Sequence, residues 1–90
     1  MPIMYKVYIL QSLKDKRTYS GFTNDLENRL REHNAGKVDA TKNRKPFRLL
    51  LSENLPDLES AKKRERYWKN GAGRRKLKRY FESEFPPITL

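Results

Sequence analysis

Five side chains of this 90-residue sequence have types and spacings suited to chemistry on a phosphate: Tyr8, Tyr19, Arg29, His33 and Glu65. Arg29 and His33 stand four apart, so on a helix they share one face, one turn above the other. A guanidinium matches phosphate oxygens bidentately, and an imidazole can take or pass a proton near neutral pH. At about 100° per residue from Leu26, Leu30 falls at about 40°, His33 at about −20° and Arg29 at about −60°. His33 is therefore expected inside an apolar stripe, either as a core residue with satisfied nitrogens or as a positioned acid–base group. From Leu58, the same arithmetic puts Ala61 at about −60°, Glu65 at about −20° and Trp68 at about −80°. Glu65 thus lies on an apolar stripe and is the single acid within residues 62–79. A buried carboxylate needs a partner. That partner is either a cation, Arg29 or a neighbouring lysine, or a divalent metal joining the carboxylate to a phosphate. Tyr8 and Tyr19, eleven apart on two strand-like segments, read on their own as packing residues with wet hydroxyls.

The elements that must position them follow from hydrophobic period and turn residues. Residues 4–10 are β-branched and aromatic and too short for a helix, and residues 18–23 repeat that character around Gly21, where a glycine marks a bulge or a close backbone approach. With the polar loop between them they form a hairpin. Asn24 and Glu27 read as a capping box, with Thr23 as the alternative cap, opening a first helix that ends near Gly36. Residues 47–52 are a third strand, Pro56-Asp57 opens a second helix, and Asn70-Gly71 with Gly73 closes it. A short last helix spans about residues 74–81. The expectation is an α+β fold with a small three-stranded antiparallel or mixed sheet flanked by helices, order β-β-α-β-α-α. Residues 1–81 form one domain, and residues 82–90 form an acidic, proline-containing tail.

Charge points to the partner. Lys and Arg total 21 against 11 Asp and Glu, for a net charge of +10, and ten of the basic residues fall within residues 62–79. A second cluster holds Lys42, Arg44, Lys45 and Arg48. Polyanions are the expected ligands, with Lys42, Arg44, Lys45, Lys62, Lys69, Arg74 and Arg75 as candidate nucleic-acid contacts. Charge alone would also suit an acidic protein partner. The chain has no cysteine and one histidine, which excludes disulfides, thiolate zinc sites, cysteine nucleophiles and histidine clusters. No run reaches the length of a membrane span, and no small-residue cleavage site follows the first ten residues. A soluble, cytoplasmic protein without a membrane partner or small-molecule cofactor is expected.

The ordered set Lys6-Val7-Tyr8, Tyr19-Ser20-Gly21, Thr23, Arg29-Leu30, His33 and then Glu65 resembles the GIY-YIG endonuclease superfamily, named for two strand motifs that each hold a tyrosine. The sequence is most similar to the small stand-alone bacterial branch, and similar also to the N-terminal incision domain of the excision-repair nuclease subunit. The resemblance spans about residues 4–70. It implies metal-dependent hydrolysis of DNA phosphodiester bonds with low sequence specificity, in repair or recombination. Tyr8 would act on the water nucleophile as general base or through a proton relay, and Tyr19 would hold the hydroxyl and phosphate network. Arg29 would bind non-bridging oxygens, and His33 would orient Tyr8 or share the base role. Glu65 would be the sole protein ligand of one Mg2+ or Mn2+. The sequence departs from the pattern at Lys6-Val7, which replace a glycine and an isoleucine, and at Ser20, which replaces an isoleucine. Lys42 stands where some members carry a further histidine or lysine, the asparagine of longer members has no counterpart, and no separate DNA-recognition domain follows. The alternative is a non-catalytic module that keeps the fold and binds DNA or RNA.

Overall fold

The computed structural model of the chain describes residues 4–83. Its elements are β1 (Tyr5–Ser12), β2 (Thr18–Thr23), α1 (Leu26–Asn34), β3 (Phe47–Leu55), α2 (Leu58–Lys69) and α3 (Gly71–Ser83), in the expected order. The sheet runs β2-β1-β3 and both pairings are antiparallel.

The central strand explains the layering. Val7, Tyr8, Ile9 and Leu10 are all at most 1% exposed, because β1 is covered on both faces and successive side chains alternate between them. Val7 and Ile9 join Leu50, Ala61, Trp68 and Leu77, which brings α2 and α3 onto one face. Tyr8 and Leu10 join Phe47, with Tyr19, Leu26 and Leu30 against them, which brings α1 onto the other. Full burial of side chains of this size contributes about 1.5–3 kcal/mol each, so both faces hold the sheet.

β3 serves both layers by changing phase. Ile9 pairs with Leu51 but Leu10 pairs with Leu49, so Leu50 is an extra residue on β3. A one-residue insertion moves the following side chains to the opposite face. Phe47 therefore faces the α1 layer, while Leu51 and Leu55, at the same parity in sequence, pack on the α2–α3 layer.

The helix ends correct the sequence reading in three places. The N-cap of α1 is Asp25, not Asn24 or Thr23: its carboxylate accepts the Asn28 N–H at 3.2 Å, while the Thr23 hydroxyl oxygen accepts the Asp25 N–H. Leu58 is 39% exposed, so the buried stripe of α2 centres on Ala61 and Trp68, and Glu65 sits on its margin. Gly73 lies inside α3 rather than closing α2. Asn70 caps α2 and its carbonyl accepts the Arg74 N–H, which makes the 70–71 junction a corner between two helices. A Cβ on Gly73 would stand 2.1 Å from the Tyr67 carbonyl oxygen, so only glycine lets α3 pack this closely on the end of α2. β3 extends to Leu55, three residues past the expected end. α3 takes in Glu82 and Ser83 of the expected tail, whose residues 84–90 lie outside the described residues.

Candidate active site

Tyr8 lies midway along β1, directly opposite Gly21 in the β1–β2 ladder. A Cβ at Gly21 would stand 2.5 Å from the Tyr8 hydroxyl, so the glycine is the space the phenol occupies. The hydroxyl lies 2.9 Å from Nε2 of His33, which is fully buried one helix away on α1. The imidazole is held edge-on by the rings of Tyr8, Tyr19 and Phe47, with centroids 5.7, 5.2 and 6.0 Å away. Its other nitrogen, Nδ1, is 2.7 Å from the hydroxyl of Thr41, which is also fully buried.

Both ring nitrogens of the buried imidazole therefore have partners, Nε2 in the Tyr8 hydroxyl and Nδ1 in the Thr41 hydroxyl, and the Thr41 hydroxyl in turn lies 3.5 Å from the Val38 carbonyl. Burial, and next the charge of Arg29, keep the His33 pKa below its ordinary value, with Glu32 opposing, so the ring is neutral at pH 7.

The Arg29 guanidinium lies close enough to the Tyr8 phenol for its charge to favour the ionised form, and it bonds Glu32 at 3.0 Å. Burial pushes the phenol above its ordinary pKa, and the nearby Tyr19 and Glu65 add to this; the Arg29 guanidinium pulls the other way but does not cancel it. Tyr8 is therefore protonated at neutral pH in the metal-free protein. A further cation beside it would be needed to make it a base.

Glu65 is set by the roll of α2. Glu53 on β3 grips the Arg64 guanidinium through Nε at 2.7 Å and Nη2 at 2.8 Å, and accepts the Trp68 Nε1–H at 2.9 Å. Arg64 in turn lies over the Tyr67 and Trp68 rings. With its neighbours Arg64 and Trp68 anchored to β3, Glu65 keeps only 14% of its side chain exposed, and its partner is the ammonium of Lys69 at 2.5 Å. The ion pair with Arg29 does not form. Among the described residues no three His, Cys, Asp or Glu side chains gather to hold a metal. One carboxylate whose charge reaches Tyr8 is nevertheless the donor set that Mg2+ or Mn2+ uses when it keeps most of its waters and takes the rest of its shell from phosphate. The residues fit such an ion and exclude a zinc-type cage.

The expected nucleic-acid contacts divide. Lys69 and Arg74 line one cleft. Lys45, Lys62 and Arg75 are exposed, and Lys42 is exposed with an ion pair to Asp39 at 3.7 Å. Arg44 is committed elsewhere: it bonds Asp15 at 2.8 Å and lies over the Phe47 ring, tying the β1–β2 turn to the segment before β3. Three neighbours of the site escaped the sequence reading. Glu32 was legible as an i, i+3 partner of Arg29. Thr41 and Phe47 reach His33 through a loop and a bulge, for which no local pattern exists.

Three comparisons bear on this geometry. The GIY-YIG catalytic domain family model matches residues 4–80. A UPF0213 protein of Syntrophus aciditrophicus is 46% identical over 61 residues, covering 66% of this chain and 69% of the relative. The UPF0213 protein YazA of Bacillus subtilis is 38% identical over 72 residues, covering 79% and 72%. The solution NMR structure of the UPF0213 protein BH0048 from Bacillus halodurans superposes with a TM-score of 0.54 at 28% identity, covering 96% of this chain and 97% of that one. The family match spans β1 to α3, with both tyrosine strands and α1 inside it: the chain belongs to the GIY-YIG family of nuclease domains.

Proposed function

We propose that the protein is a metal-dependent DNA endonuclease or nickase of low sequence specificity, acting in the cytoplasm on repair or recombination intermediates. The observation that carries this reading is the buried hydroxyl of Tyr8. Packing alone would be served by phenylalanine, yet this oxygen is held by His33 and lies within reach of the Arg29 and Glu65 charges. The Arg29 charge stabilises a phenolate more than a phenol.

In this reading Arg29 binds the non-bridging oxygens of the scissile phosphate, releasing part of its hold on Glu32. With the ion bound, Tyr8 would first lose its own proton to solvent; the phenolate would then take a proton of the attacking water as the new phosphorus–oxygen bond forms, and the leaving ester oxygen would take a proton from solvent as its bond to phosphorus breaks. His33, fixed by Thr41, keeps the phenol oxygen aimed, and Tyr19 holds the hydroxyl and phosphate network. Glu65 would hold the Mg2+ or Mn2+, which when bound supplies positive charge to the phosphate and to the attacking water. The basic residues of α2 and α3 supply affinity.

The test is purified protein with supercoiled plasmid and branched oligonucleotides in Mg2+, Mn2+ or EDTA. Nicking with either metal and none in EDTA is expected. Salt-sensitive binding without any cleavage would move the protein to the binding-module reading.

A further inference from the structure

A cleft of about 270 Å3 opens between the edge strand β2 and the corner where α2 meets α3, lined by Thr18, Tyr19, Ser20, Trp68, Lys69 and Arg74. Among the described residues its lining holds two cations and three hydroxyls and no carboxylate. Arg74 makes no ion pair among the described residues, and its position follows from the close seating of Gly73 on the end of α2. The volume is near the lower limit for small-molecule sites, which suits one nucleotide unit of a strand.

The cleft touches the candidate active site at both walls. Tyr19 lines it while its ring packs edge-on against His33. Lys69 lines it while its ammonium holds Oε2 of Glu65. One lysine thus stands between an anion-lined exit, the carboxylate, and a cation-lined cleft that has no anion of its own. The Lys69 side chain is 55% exposed on a flexible stem, so moving its charge from one to the other requires rotamer changes alone.

Resting on the nuclease reading, we propose that this cleft binds the backbone phosphate of the nucleotide adjoining the scissile one, and that Lys69 turns from Glu65 to that phosphate when the strand is seated. Arg74 and the Ser20 and Thr18 hydroxyls complete the phosphate's shell. Strand binding then frees the carboxylate for the metal, so nucleic acid and metal bind with positive coupling: each strengthens the other by the same factor. Without a strand, the metal must displace an ammonium from its own ligand.

Two measurements test this. In EDTA, the affinity of a short labelled single-stranded oligonucleotide is read by fluorescence anisotropy. Arg74→Ala should weaken it about tenfold or more, the effect of losing a charge-assisted phosphate contact, while Lys37→Ala, outside the cleft, should change it less than about twofold. Equal affinity of the wild type and Arg74→Ala would overturn the cleft assignment. Mn2+ binding is then read by electron paramagnetic resonance in a Tyr8→Phe background, corrected for oligonucleotide alone. Oligonucleotide should tighten Mn2+ binding; without oligonucleotide Lys69→Met should bind Mn2+ more tightly than its parent, and it should gain less from the addition of oligonucleotide, keeping only what direct phosphate ligation supplies. Unchanged Mn2+ affinity in Lys69→Met without oligonucleotide would overturn the exchange. The underlying metal assignment fails separately, if Glu65→Gln binds Mn2+ as well as its parent does.

Discussion

Replacing Tyr8 by phenylalanine removes one oxygen from a site that is 1% exposed. The ring still fills its place between Leu10 and Phe47, so no cavity opens. The loss is polar: Nε2 of fully buried His33 loses its partner at 2.9 Å. A buried donor or acceptor left unsatisfied costs about 1–3 kcal/mol. At roughly 0.05–0.15 kcal/mol per residue, a domain of this length has about 5–13 kcal/mol of stability, so the variant stays more than about 95% folded. Any fall in cleavage beyond a few per cent is then chemical. A general base contributes about 10²–10⁴-fold, so plasmid nicking by Tyr8→Phe should drop at least a hundredfold. Duplex affinity measured in EDTA should remain, and urea unfolding should show a stability lower by about the 1–3 kcal/mol just worked out, read as the fall in midpoint multiplied by the m-value. Nicking at more than a third of the wild-type rate would refute the reasoning, because no proton would then pass through this oxygen.

The other expectations use the same assays. Glu65→Gln breaks a pair whose lysine is half exposed, worth about 0–1 kcal/mol, so its urea midpoint should hardly move while metal-dependent nicking falls by orders of magnitude; near wild-type nicking would remove Glu65 from the metal. His33 has a folded pKa below the ordinary 6.5 or so, so the unfolded chain takes up the proton first. Its stabilising contribution is complete above that pH and is lost as pH falls toward the folded value, and denaturation curves of His33→Gln should show a flatter slope there than wild type. Gly21→Ala puts a Cβ 2.5 Å from the Tyr8 hydroxyl, so it should destabilise by about 1–3 kcal/mol, the reverse of the gain expected for this change in an open strand, and should lower nicking; a stabilised, active Gly21→Ala would show that Tyr8 lies elsewhere. Thr41→Val orphans Nδ1 of His33 and should cost about 1–3 kcal/mol and slow nicking, with Thr41→Ser restoring both.

Much of the architecture was legible because period and punctuation agree with the final contacts. The β-branched density of residues 4–10 marked the central strand, and Pro56-Asp57 marked a helix start where Asp57 does accept the Ser60 N–H at 2.7 Å. Helical arithmetic placed His33 on the inward face, and it is fully buried. The same arithmetic failed for Leu58 because it weights every apolar residue alike, while the first turn of α2 projects past the sheet. It also could not name the partner of Glu65: both Arg29 and a nearby lysine were compatible with the spacing, and the i+4 lysine is the one that lies on the same helix face. The bulge at Leu50 was illegible for a different reason. In a run such as Phe47-Arg-Leu-Leu-Leu51 every phase has an apolar residue available, so the pattern cannot say where the strand changes face.

That bulge is what lets so short a chain hold both a core and a polar chain of side chains. With three strands, β1 is the only strand that has neighbours on both edges, and its two rows of side chains are committed to different tasks. The row of Val7 and Ile9 meets Leu50, Ala61, Trp68 and Leu77, an apolar layer beside the Glu53 clamp that orients α2. The row of Tyr8 and Leu10 meets the His33–Thr41 pair, and it needs an aromatic wall on the far side of the imidazole. Leu51, Glu53 and Leu55 of β3 point toward α2, so without a change of phase Phe47, at the same parity, would point there too and His33 would lack that wall. One extra residue resolves the conflict, placing Phe47 6.0 Å from the imidazole and leaving Glu53 on the face where Arg64 and Trp68 wait. The bulge thereby fixes His33, and through it the Tyr8 oxygen, on one face. On the other it fixes the roll of α2, and with it Glu65, so a single irregularity in β3 sets both halves of the candidate site.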